Sequence, residues 1–315
     1  SILNFFGVLS SEVYFSLLLI TCYSTLLLVY PLIDAPFKIA EYFATSALLS
    51  NTLRLIEMCV CLVVVLEYKT YLSAAAALFA SRFIMLLITV VIMAKKEMFP
   101  RVVLTVDFKR VRKLLSESCR FVWIPLGNLL YLQAGLFALS LIAGPSSVAI
   151  FSVYRTISRT MVQFYNVINR GFMPEFTICY GDGNLVRLRR LLRLSVNINC
   201  IVSVASGCFL YVFFEEIIYY WAGEEFVFDR MLSVLIIIST MLSGLWQVGW
   251  NFLISVNKYF LVGLGYFSLT LVSLLLLALF YQFGELRGVA FSYVFVDSLL
   301  VLWVLYCVNR VVSEK

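Results

Sequence analysis

Apolar residues along this chain fall into runs of about 20, the length needed to cross a bilayer as a helix. Short polar patches separate them. Nine runs are read as transmembrane helices, at 12–33, 43–66, 72–94, 120–143, 147–177, 196–219, 231–254, 259–282 and 286–309. The pattern predicts an all-α, polytopic transmembrane helical bundle. The 147–177 run is longer than a bilayer requires, so it is expected to tilt or to project from the membrane.

Composition agrees with this. Of 315 residues, 63% are hydrophobic and 13% charged, and the mean hydropathy is +0.98. A soluble domain is about 45–50% apolar and about 25% charged. There is no histidine, and the eight cysteines are scattered, with Cys59 and Cys61 the only close pair. The absence of a CxxC spacing argues against a zinc or redox site, so the cysteines read as small core residues and no cofactor is expected. Ser1 is followed by no charged segment and cleavage site, so no signal peptide is expected and the start of the protein reads as missing.

Charge sets the orientation. One set of loops holds Lys38; Lys95, Lys96, Arg101, Lys109, Arg110, Arg112, Lys113 and Arg120; Arg187, Arg189, Arg190 and Arg193; Lys258; Arg310 and Lys315. The other set holds Lys69, Arg230 and Arg287, together with the acids Glu215, Glu216, Glu224, Glu225 and Asp229. The positive-inside rule puts the first set, and the C-terminus, in the cytoplasm. The first run then begins outside, so if the complete protein starts in the cytoplasm an odd number of spans is expected before it. The basic 95–119 segment carries an amphipathic stretch from Phe108 to Leu115 and reads as an interfacial helix on anionic lipid, linking a partial N-terminal lobe (1–94) to a C-terminal six-helix lobe (120–315). Plain topology anchoring explains the same charges. Charge followed by Tyr-Phe at Glu41-Tyr42-Phe43 and again at Lys258-Tyr259-Phe260 is a faint internal echo of two lobes.

Ionisable side chains inside spans cost about 2.5–3.5 kcal/mol each on insertion scales and mark cavities or partners. Here they are Arg54, Glu57, Arg82, Arg155, Arg159, Arg170, Glu175 and Asp297. In the fifth run, Arg155, Arg159, Gln163, Asn166 and Arg170 fall at i, i+4, i+8, i+11 and i+15, a stripe roughly 80° wide and about 22 Å long. Such a face is expected to line a polar cavity; a helix–helix seam with polar glue is the alternative. Arg82 has no acidic neighbour one turn away, whereas Arg54 has Glu57 at i+3. Asp297 is the only acid near the middle of the last run and a candidate, with Glu57, for coupling to protons or Na⁺. Gln247 and Asn251, beside Trp246 and Trp250, suit sugar binding or packing within the bundle, and Asn128 and Gln133 form a similar pair. Gly171 and Pro174 are expected to bend the end of the fifth run.

The stretch 144–155, Gly-Pro-Ser-Ser-Val-Ala-Ile-Phe-Ser-Val-Tyr-Arg, opens a long helix that ends in Met173-Pro174-Glu175-Phe176, then Gly181-Asp182-Gly183 and an Arg-rich helix over 185–193. This resembles the polysaccharide flippases, the O-antigen and teichuronic type of lipid-linked oligosaccharide translocase. They share a superfamily with the multidrug and toxin extrusion exporters. Pro36-Phe37-Lys38 through Glu57 and the basic mid-chain segment fit the same likeness.

The resemblance implies two six-helix lobes, the first lacking three helices here, working by alternating access in a bacterial inner membrane. It implies an undecaprenyl-diphosphate-linked oligosaccharide as cargo, with Arg82, Arg155, Arg159 and Arg54 meeting the diphosphate, and no covalent chemistry. Guanidinium groups bind phosphate oxygens in bidentate geometry, which supports the assignment on chemical grounds. The expected partners are the lipid-linked oligosaccharide, membrane lipids, a glycan polymerase and chain-length proteins, with no nucleic acid. A cation-drug antiporter is the first alternative, although the arginine excess opposes it. A membrane glycan polymerase or ligase using the acids at 215–229 is the second.

Overall fold

The computed structural model describes residues 11–39, 42–95, 107–223 and 226–313. Among these every regular element is a helix. We number them α1 (Ser11–Ile39), α2 (Phe43–Tyr68), α3 (Tyr71–Lys95), α4 (Phe108–Phe121), α5 (Trp123–Leu129), α6 (Gly135–Gly181), α7 (Leu185–Ala222), α8 (Arg230–Ser255) and α9 (Tyr259–Ser313), with a π-helical turn at Leu130–Ala134 between α5 and α6. Seven continuous helical runs among the described residues are long and apolar enough to span a membrane. The chain is a multi-pass membrane protein.

The difference from nine expected spans lies at two bends. In α6 the helix breaks at Gly144, whose φ of 80° and ψ of 172° lie where residues bearing a Cβ are strained. Pro145 follows, with its φ already set for the first turn of a helix. In α9 the break falls at Gly284 and Glu285, and Glu285 takes a φ of 48°. These are the gaps between the fourth and fifth, and the eighth and ninth, apolar runs.

The chain forms two compact units, Ser1–Thr105 and Val106–Lys315. In the first, α1 packs on α3 and α2, and α2 on α3. In the second, α8 is central and packs against α6, α7 and α9. Its buried Ser233, Ser239, Thr240, Ser243 and Gly244 explain why: small residues let helix backbones approach closely where hydrophobicity gives no driving force between helices.

The Arg-rich 185–193 stretch is the first part of one 38-residue helix, α7, whose N-terminus Asn184 caps by accepting from the Arg187 N–H at 3.0 Å. The amphipathic α4 is capped likewise by Asp107, accepting from Lys109 N–H at 2.9 Å, and none of its residues is buried. It presents Phe108, Leu114 and Leu115 beside its basic residues, as an interfacial helix should.

Candidate functional site

The second unit has two buried apolar clusters. One gathers Phe176, Phe252, Val262 and Leu300; the other gathers Leu139, Tyr154, Leu210 and Phe214. A cavity of about 270 Å³ draws its wall from both, with Trp246 and Tyr266 from the first and Phe151, Ile236 and Tyr293 from the second. Polar residues complete it: Asn128, Arg155, Ser158, Arg159, Asn166, Ser239, Gln247 and Asn251. No carboxylate is among the lining residues.

Arg155 is held by the backbone. Its Nη1 donates to the Leu132 carbonyl at 3.0 Å and its Nη2 to the Tyr131 carbonyl. Both carbonyls belong to the π-helical turn, where the extra residue disturbs the i→i−4 ladder, and π turns of this kind recur at functional sites. The guanidinium also lies over the Tyr131 and Tyr293 rings, 5.7 and 5.2 Å from their centroids. Arg155 is thus turned inward and makes no ion pair within 4.0 Å among the described residues. Arg159, one turn further on, lines the same cavity, is partly exposed, and makes no ion pair within 4.0 Å among the described residues.

Asp297 lies behind this wall, fully buried. It accepts from Tyr131 Oη at 3.1 Å, Trp246 Nε1 at 3.1 Å and Ser239 Oγ. Three neutral donors therefore satisfy it, in place of the arginine that a buried carboxylate ordinarily needs. Tyr131 joins the two centres: its hydroxyl serves Asp297 and its carbonyl serves Arg155.

The other expected site residues divide. Asn166, Gln247 and Asn251 line the cavity with Arg155 and Arg159; Asn251 Nδ2 donates to the Gln247 carbonyl at 2.7 Å, and the buried Gln247 Oε1 has no hydrogen-bond partner. Gln163 and Arg170 are exposed and do not line it, so three of the five residues of the polar stripe on α6 reach the cavity. Past Asn166 the next buried polar residue of α6, Asn169, faces α7, where Asn169 and Asn199 exchange amide hydrogen bonds at 3.3 and 3.0 Å. This seam has no local signature in the sequence, because its two amides lie 30 residues apart.

In the first unit the expected pairing is corrected. Glu57 does not neutralise Arg54, which is exposed. It forms an ion pair with Arg82 on α3 at 2.7 Å, with both side chains almost fully buried. Arg82 Nη2 also reaches Tyr23 Oη at 3.5 Å, and its guanidinium stands over the Tyr23 and Tyr30 rings. Arg82 therefore has the acidic partner that its own helix does not supply. Helices α2 and α3 pack side by side, and that contact overrides the i+3 spacing.

Of the acids at 215–229, Asp229 caps α8, accepting from Met231 and Leu232 N–H, and pairs with Arg287 at 2.8 Å. Burial raises its pKa, but hydrogen bonds from Arg287 and the Leu232 N–H outweigh that and hold it below the ordinary 3.8. Glu215 accepts from Tyr219 Oη at 3.3 Å. Glu224 and Glu225, like Glu41, Lys96 and Arg101, lie outside the described residues.

No protein-family model matches this chain, and no curated protein matches it in sequence. Its fold, however, is shared with solved transporters. A point mutant of the Vibrio cholerae MATE transporter VcmN superposes with a TM-score of 0.71 at 14% identity, over 96% of this chain and 77% of that one. A MATE protein in the straight conformation gives 0.67 at 14% identity, over 97% and 78%. A multidrug resistance MATE family transporter of the MOP superfamily, in an outward-facing conformation, gives 0.65 at 13% identity, over 84% and 63%. At such identity the likeness is one of fold: this chain is a multi-pass membrane protein with the MATE architecture.

Proposed function

We propose that this protein is an alternating-access transporter of a bacterial inner membrane, its C-terminus cytoplasmic, and that its cargo is an undecaprenyl-diphosphate-linked oligosaccharide. The observation that carries the cargo reading is the charge of the cavity: two guanidinium groups, Arg155 and Arg159, and no carboxylate in the wall. An anionic diphosphate is favoured there and a cation is not. The amides of Asn128, Asn166, Gln247 and Asn251 and the rings of Trp246, Trp250 and Tyr266 offer a glycan both hydrogen bonds and stacking faces. The transport reading itself rests on the fold, since its structural neighbours are transporters rather than enzymes.

A second reading, multidrug export, is favoured by a specific observation: one structural neighbour is a multidrug resistance transporter. The aromatic wall would also accept flat drugs. The two readings part on reconstitution into vesicles. Lipid-linked oligosaccharide should cross with the native protein and lose about tenfold or more of its rate with Arg159→Glu. Uptake of a cationic dye by the native protein, with oligosaccharide movement unchanged in Arg159→Glu, would establish the multidrug reading instead.

A further inference from the structure

Helices α7, α8 and the C-terminal part of α9 line a second hollow, open to the outside of the bundle and of about 710 Å³. That lies inside the range of about 300–1,000 Å³ typical of small-ligand sites. It shares one lining residue, Trp246, with the cavity. Its walls are aliphatic, chiefly Val196, Val301, Leu305 and Val308, and its basic end holds Arg189 and Arg193.

The two arginines lie one turn apart on α7, so both reach the same spot. Neither makes an ion pair within 4.0 Å among the described residues, and the hollow has no carboxylate in its wall. Arg187 on the same turn is different, bound to Glu175 at 2.8 Å. The basic end also has a defined depth. It lies near the first turns of α7 and the last turn of α9, where Val312 and Ser313 join the lining. In a membrane-spanning bundle, that places the charge at the headgroup layer and the aliphatic walls in the hydrocarbon.

We infer that this hollow binds a phosphate-bearing lipid of the surrounding bilayer, with the phosphate between Arg189 and Arg193 and an acyl chain along Val196, Val301 and Leu305. Basic pockets between membrane helices at headgroup depth take anionic lipids by this combination. The bound chain abuts Trp246, whose indole N–H holds Asp297 on the cavity side. The lipid thus supports the wall that separates the two hollows.

The full chain, purified in detergent and mixed with phosphatidylglycerol or phosphatidylcholine, can be examined by native mass spectrometry. Phosphatidylglycerol adducts should predominate. Arg193→Gln should weaken them about fivefold, the worth of one arginine at a lipid surface, and Arg189→Gln by a similar factor. Arg190→Gln removes the same charge from the same turn but lies off the hollow, and should leave retention unchanged. Leu305→Trp should fill the hollow and displace the lipid. Thermal midpoints identify any variant that fails to fold, and the exposed Arg193 and Arg190 substitutions keep the comparison sound. Equal retention in Arg193→Gln and Arg190→Gln, equal retention of the two lipids, or a dimer of this chain in place of lipid adducts would overturn the assignment.

Discussion

Arg155 and Arg159 sit one turn apart on α6, yet their surroundings give them different tasks. Arg155 donates to two carbonyls of the π turn, and a hydrogen bond from a charged group is worth about 1.5–3 kcal/mol. Arg155→Ala should therefore lower the thermal midpoint in detergent by several degrees. Arg159→Ala, which orphans nothing, should leave the midpoint within about a degree while impairing transport. The first unit offers a parallel test. Breaking a buried ion pair by removing one partner costs about 3–5 kcal/mol. Glu57→Ala and Arg82→Ala should each destabilise strongly, and a double substitution to apolar residues of similar volume should cost less than the sum of the singles. The spacing of arginines along α6 made the cavity face legible from sequence, because helical periodicity is a local property. The Glu57–Arg82 pair and the donors around Asp297 were not legible, because each joins residues from different helices.

At the level of elements, hydrophobic runs located most helix ends to within a few residues, since burial in lipid imposes length and composition together, but α1 runs six residues past its run and α7 begins 11 residues before its own, because their polar ends lie outside the apolar pattern. The π turn left no trace in the pattern: it alters winding by one residue without changing which side chains are apolar. Capping was equally local. Asp229 both caps α8 and pairs with Arg287, and its folded-state pKa lies below the 3.8 of free aspartate. The stability it contributes is therefore complete above that value and fades as pH falls through the lower, folded-state pKa. Asp229→Asn keeps a capping side chain but forfeits the charge, so its melting temperature should fall less steeply on the acid side than that of the native protein. Asp229→Ala should cost about 1 kcal/mol at neutral pH through loss of the cap. Melting curves collected between neutral pH and pH 3 distinguish the three.

For the molecule as a whole, loop charge predicts that α4 and the C-terminal end of α9 lie on the cytoplasmic side and the α7–α8 connection on the other. In a cysteine-free background, Lys113→Cys should react with a membrane-impermeant thiol reagent only in inverted vesicles, and Glu216→Cys only in intact cells. Alternating access adds a further expectation: Asn166→Cys should react from one side in the absence of cargo and from the opposite side under turnover. The turn Leu130–Ala134 carries one residue more than an α-helix would over the same rise, and Arg155 clamps its carbonyls. An α-helix turns by about 100° per residue, so that one surplus residue resets the azimuth at which α5 meets α6. Tyr131 sits on that turn with its hydroxyl on Asp297 and its carbonyl under Arg155, so the surplus residue sets the register in which one side chain meets both the cavity's cation and the buried acid.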